Sequence, residues 1–195
     1  MFSVNIDKIV DMQPAEKSAY NEIYNNITAK LGNKQSISVF GTPLTAFKLA
    51  SIFADNGKRV MFIDCDFSTS IFLAKYKLGK DLVGMSEIIA GKEQIASCVC
   101  KTNKPNLEII FTGNPNGNAE SDSAAFRKLI DGIAGGFDNV IISAGKAADV
   151  ANKCDGTVLV MDDADYAERT GRKAVDDLED EGCSVIGIVL ENVRA

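Results

Sequence analysis

Two carboxylates, Asp64 and Asp66, stand one residue apart at the end of an apolar run, residues 59–66 (RVMFIDCD). Acids placed just past a buried strand can hold a metal-bound water or act as a general base. They are the candidate catalytic groups, set against a plainer reading as solvated strand-end carboxylates. A second stretch, residues 36–50 (SISVFGTPLTAFKLA), reads as a strand over 36–40, a turn at Gly41 and Thr42, and a helix opening at Pro43. Thr42 suits an N-cap, and Pro43 suits the first helical position, where its missing N–H is not needed. At such a strand-to-helix turn an α/β fold presents backbone N–H groups and the positive end of a helix dipole to a phosphate. Gly41 and Thr42 are therefore the candidate nucleotide- or anion-binding residues, with a tight turn and helix cap as the competing reading. The phosphate chemistry is incomplete here. A working phosphate loop, G-x-x-x-x-G-K-[ST], carries several glycines and a Lys-Ser/Thr pair. Here Gly41 stands alone, and the next lysine is Lys48, inside the helix.

The elements that must position these residues follow from periodicity. Residues 14–31 place Ala19, Tyr20, Ile23, Ile27 and Leu31 at helical spacing, and Gly32 ends the helix. The helix over 43–56 is apolar nearly all round and so belongs in the interior. Strands are expected at 36–40, 59–64, 107–111, 139–143, 157–161 and 185–190. Helices are expected near 68–78, 85–90, 122–134, 147–153 and 166–181. Ala125, Leu129, Ile130 and Ile133 line the inner face of the third of these, and Ala174, Val175 and Leu178 that of the last. Near-continuous Val/Ile/Leu strands alternating with helices predict a doubly wound α/β fold in three α/β/α layers. The expected sheet is mainly parallel, with about six strands and helices on both faces.

At 195 residues the chain is expected to form one domain, with an N-terminal helix at 14–31 and a core over 36–193. The net charge of −6 argues against a nucleic-acid surface, which needs a basic stripe. No apolar run is long enough to insert in a membrane, and the first residues lack the pattern of a secretion signal. Cys65, Cys98, Cys100, Cys154 and Cys183 are scattered and odd in number, as in a reduced cytoplasm. With no histidine in the chain, Cys98 and Cys100 read as small buried hydrophobes, and no metal site is expected. Lys146 reads as a surface lysine rather than a phosphate ligand. Tyr20 is expected to pack, and Tyr20, Tyr24, Tyr76 and Tyr166 are too scattered for a phosphorylation cluster. The charged run 176–181 is the wet face of a helix.

In order along the chain, RVMFIDCD, GMSEIIAG, NLEIIFTGNPNGN, FDNVIIS, CDGTVLVM and GCSVIGIVLEN resemble successive motifs of one family. It is the cytoplasmic tyrosine kinase domain of bacterial capsule and exopolysaccharide systems, in the MinD-like branch of P-loop ATPases. The likeness covers roughly residues 14–193. It implies a P-loop NTPase-like fold, with RVMFIDCD at the second aspartate motif and FDNVIIS at the Walker B strand. The departures fall on the chemistry. No residue matches the family's loop lysine, and Ser143 stands where the Walker B strand ends in Asp. The adenine-reading asparagine falls at Glu191, with Asn192 adjacent. Ser18, Asn21 and Tyr24 replace the Glu-x-x-Arg-x-x-Arg of ring assembly, and the chain stops at Ala195 without a tyrosine cluster.

Phosphoryl transfer depends on positioning and charge stabilisation by lysine, loop amides and Mg²⁺. Loss of the lysine alone weakens ATP binding by roughly one to two orders of magnitude. In a parallel sheet Asp64, Asp66, Asp162, Asp163 and Glu191 all fall at carboxyl strand ends, where they would repel a triphosphate. The resemblance then implies a non-catalytic, pseudo-kinase relative without a bound cofactor, acting as a regulatory or interaction module in polysaccharide assembly. Its expected partner is the cytoplasmic end of a membrane chain-length regulator or an active kinase paralogue. The expected location is the cytoplasm, at the inner membrane face through that partner, and homo-oligomers are open to it. One alternative is an ATP- and Mg-dependent tyrosine kinase or ATPase using Asp64 and Asp66. The other is a small-anion or metabolite binder.

Overall fold

A computed structural model describes residues 3–32, 34–67, 83–114, 123–164 and 166–192. The strands are β1 (Ser3–Val4), β2 (Ser36–Phe40), β3 (Val60–Asp64), β4 (Val99–Thr102), β5 (Leu107–Ile110), β6 (Asn139–Gly145), β7 (Gly156–Asp162) and β8 (Val185–Glu191). The helices are α1 (Asp7–Val10), α2 (Pro14–Leu31), α3 (Pro43–Asp55), α4 (Met85–Ile89), α5 (Ile95–Cys98), α6 (Ser123–Ala134), α7 (Ala148–Ala151) and α8 (Glu168–Asp180). The helix expected at 68–78, Tyr76 and the far part of the loop at 112–118 lie outside the described residues.

The strands form one sheet in the order β1-β4-β5-β3-β6-β2-β7-β8, parallel except for β4 against β5. Among the described residues the sheet has eight strands, where about six were expected. The two additions are short and sit together at one edge, where Lys101 is exposed and no apolar run forms. Such pieces gain their stability from pairing rather than from their own pattern.

Alternation along the central strands feeds two cores. Val60, Phe62 and Ile141 face α1, α2 and α3, while Met61, Ile63, Val140 and Ile142 face α6, α7 and α8. α3 is buried along most of its length, and its Phe47 meets Phe62 edge-on at 5.0 Å. α2 lies over α3, with Tyr24 edge-on to Phe53 at 4.7 Å and Tyr20 buried. Ala19 is exposed, because α2 contacts the protein on a stripe narrower than its apolar residues suggest. The inner face of α6 is Phe126, Ile130 and Ile133, with Ala125 exposed, so the expected face is rotated by about one residue.

At the amino end of the sheet Asp155 ties three segments together. Its carboxylate accepts hydrogen bonds from Gln35 N at 3.1 Å, Ser36 N at 3.0 Å, Ser36 Oγ at 2.8 Å and Arg127 Nη2 at 2.9 Å. Burial pushes this carboxyl up, but the donors outweigh it and hold the pKa at about 2.

Candidate functional site at the carboxyl end of the sheet

Parallel pairing brings Asp64 at the end of β3 into register with Ser143 on β6. In-register neighbours on parallel strands share a face, so both side chains turn toward the α3 side. The carboxylates are not solvated strand-end groups, which corrects that reading. Asp64 is 0% exposed and Asp66 is 3% exposed. The cause is local. Cys65 N donates to Ser143 O at 2.9 Å, which carries the ladder one step past β3. Asp66 N then donates to Asp64 Oδ1 at 3.2 Å, folding the chain back over the sheet. Gly145 makes room for this. It has φ of 55°, and a Cβ there would lie 2.7 Å from Asp66 Cγ.

Two hydroxyls in this region, Ser143 Oγ and Thr112 Oγ1, are buried and have no hydrogen-bond partner among the described residues. Thr112 is placed by α4. Met85 N donates to Phe111 O at 2.8 Å and Ser86 N to Thr112 O at 2.9 Å. Glu87 accepts from Gly84 N at 2.8 Å and Asn114 N at 3.2 Å. The GMSEIIAG motif therefore clamps the segment that follows β5.

The β2–α3 turn consists of Gly41 and Thr42 alone. Gly41 has φ of 130° and donates its N–H to Gly145 O at 2.7 Å. A Cβ at Gly41 would sit 2.9 Å from Val160 Cβ and 3.0 Å from Val160 O, so the turn is pressed against β7. Thr42 holds the N-cap position as expected, but its side chain makes no capping bond. Its hydroxyl bonds instead to the Glu191 carboxylate.

Glu191, at the end of β8, is the centre of a polar cluster that the sequence did not announce. It accepts hydrogen bonds from Thr45 Oγ1 and from Tyr20. Burial pushes its carboxyl above the ordinary range, against the hydrogen bond from Thr42 and the attraction of Lys48. Burial likewise pushes the Tyr20 hydroxyl well above its usual value, so it stays protonated. Lys48 is ion-paired with Glu16 on α2. These residues line a groove of about 540 Å³ between α2, the first turn of α3 and the end of β8. Thr45, Tyr20 and the Lys48–Glu16 pair were missed because they converge from three elements, and no local spacing encodes that.

Of the five acids expected at this edge, Asp64, Asp66 and Glu191 turn inward. Asp162 is half-buried and bonds to Ala164 N at 2.9 Å, while Asp163 is exposed. Lys146 is exposed, as expected of a surface lysine. The five cysteines are buried and none is in a disulfide. Among the described residues, no three His, Cys, Asp or Glu side chains are grouped to hold a metal ion, and no helix is long and apolar enough to cross a membrane.

No family model matches the chain. It is 28% identical over 205 residues to the tyrosine-protein kinase CpsD of Streptococcus agalactiae serotype III, covering 96% of this chain and 88% of that protein. It is 29% identical over 199 residues to the tyrosine-protein kinase Wzc of Salmonella typhi, covering 96% of this chain but 27% of Wzc. Among solved structures, the kinase domain of the Escherichia coli tyrosine kinase ETK superposes with a TM-score of 0.78 at 20% identity, over 92% of this chain and 77% of that one. The septum site-determining protein MinD of Pyrococcus horikoshii, complexed with Mg-ADP, superposes with a TM-score of 0.63 at 17% identity, over 80% and 69%. The sheet that carries Asp64 and Gly41 is thus the mostly parallel sheet of MinD-like P-loop NTPases, and the chain is homologous to the capsular tyrosine kinases CpsD and Wzc.

Proposed function

We propose that this homologue of the capsular tyrosine kinases is non-catalytic and serves as a regulatory or interaction module in capsule or exopolysaccharide assembly. The observation that carries the reading is the two-residue β2–α3 turn, Gly41 and Thr42, with no lysine beside it. The neighbouring groups already have partners within the chain. Thr42 and Thr45 bond to Glu191, and Lys48 pairs with Glu16. A nucleoside triphosphate with Mg²⁺ suits this donor set poorly, because the turn offers it no lysine and Lys48, the first lysine of α3, is already paired with Glu16. The partner under this reading is the cytoplasmic end of a membrane chain-length regulator, or an active kinase paralogue. The module then works in the cytoplasm, held at the inner membrane face by that partner.

A second reading, an ATP-dependent tyrosine kinase or ATPase, is favoured by one observation. Asp64 and Asp66 lie buried together beside the unpartnered Ser143 hydroxyl, an arrangement that a bound cation would relieve. A third, a small-anion binder, draws on the uncapped N–H groups at the start of α3. Calorimetry separates the three. Titration with millimolar Mg-ATP gives no binding heat under the first reading, and micromolar affinity overturns it. Heat with inorganic phosphate alone selects the third.

A further inference from the structure

The sheet ends at β8, which pairs with β7 on one side and with no strand on the other among the described residues. Its outward groups follow from one bond. Asp163 N donates to Glu191 O at 2.7 Å, so Glu191 turns its carbonyl toward β7. Alternation turns Val189 and Gly187 the same way, and Ile188 and Leu190 outward. At Ile186 the register with β7 shifts, and there the carbonyl points outward, where Lys30 of α2 reaches it at 2.6 Å. The edge is apolar as well as open. Ile186 and Ile188 remain half-buried, and Leu190 is 43% exposed, one of two large apolar side chains so exposed among the described residues. A groove of about 380 Å³ runs between the edge and α2, lined by Ile23, Ile27, Lys30, Ile186 and Ile188. The register with β7 shifts at Ile186, and beyond that bulge the edge from Gly187 to Leu190 is regular, apolar and uncharged, a template for another strand.

We propose that β8 pairs antiparallel with β8 of a second copy of this chain, about a twofold axis through Ile188. Ile188 then exchanges N–H···O bonds with Ile188 of the second copy, and the Leu190 N–H of each copy donates to the outward Ile186 carbonyl of the other. The second lone pair of the Ile186 carbonyl stays available beside Lys30. Charge on α2 selects a second copy over another extended chain. The N-terminal half of α2 lies beside residues 189–192 and its C-terminal half beside Ile186. Twofold antiparallel pairing sets both α2 helices on one face of the joined sheet, running in opposite directions. Exposed Glu22 of each copy then faces exposed Lys30 of the other, twice by symmetry, and the two helix dipoles also oppose favourably. Nothing in this pairing depends on whether the Gly41 turn binds nucleotide.

Sedimentation velocity and light scattering on the full chain test it. The expected result is a mass twice that of the chain, falling with dilution and with added salt. Leu190→Lys, at an exposed position, yields a monomer with an unchanged far-UV spectrum. Glu22→Lys and Lys30→Glu each weaken the dimer by about tenfold, the scale of two lost exposed ion pairs. Combining them restores it. A wild-type chain that is monomeric at every concentration overturns the proposal, and so does a dimer that Leu190→Lys leaves intact. A double variant no better than the singles overturns the antiparallel register.

Discussion

Glu191 holds an acid where its surroundings favour the neutral form. Burial raises its carboxyl, and the donors from Thr42 and Tyr20 offset only part of that cost. Its folded pKa therefore lies above the unfolded value of about 4.3. An acid shifted this way contributes stability that is fully present below the unfolded pKa and is lost as pH rises through the folded one. Glutamine reproduces the neutral acid and still accepts from Thr45. Glu191→Gln is thus expected to raise the Tm at pH 7 and to leave it unchanged below about pH 4, where both side chains are uncharged. Each 1 kcal/mol gained reads as about 2–4 °C in a chain of this size. Thermal melts across that pH range check the sign, and a destabilised variant at pH 7 would show that the ionised carboxylate is the form this cluster holds. Little of this was legible beforehand. The sequence placed Glu191 at a strand end, but Tyr20 and Thr45 reach it from α2 and α3, 171 and 146 residues away along the chain.

At the scale of elements, the β2–α3 connection sets what this edge of the sheet can do. Its parts were readable from the sequence: Gly41 as the turn, Thr42 at the cap position and Pro43 at the first helical position. The reason for the glycine was not readable, because it lies on β7. Val160 approaches so closely that any Cβ at Gly41 collides with it, and a φ of 130° is strained for other residues in any case. Gly41→Ala is expected to cost roughly 1–3 kcal/mol, measured as a lower urea midpoint with an unchanged slope. An alanine variant as stable as wild type would mean that the turn has slack, and a longer phosphate loop would then be easier to accommodate. The same limit explains Asp64 and Asp66. Their type and spacing were visible, whereas their burial depends on Gly145 and Ser143 of β6, a strand that enters the sheet beside β3 about 75 residues later.

For the whole molecule, the mainly parallel sheet was legible because its central strands are buried on both faces and so carry unbroken apolar runs. The edges were less legible. β1 and β4 are too short to carry a pattern, and β8 looked like any other buried strand although among the described residues it is the last of the sheet on one side. The two cores share the central strands, since Phe62 and Ile63 are adjacent residues packed into opposite layers. Neither layer can loosen without exposing the back of the other, so one cooperative unfolding unit is expected over 1–195. The chain has no tryptophan and four tyrosines, which makes the test specific. With Tyr76 and Tyr166 changed to Phe, the remaining emission comes from Tyr20 and Tyr24, both on α2 against α3. Far-UV circular dichroism reports on helices of both layers. Urea transitions followed by the two probes are expected to coincide, with a slope of roughly 2–3 kcal/mol per molar. A tyrosine transition at lower urea would mean that α2 detaches before the sheet melts. In that case α2 would be an independently mobile arm, and the proposed Glu22–Lys30 contacts between copies would also have to hold it against the sheet.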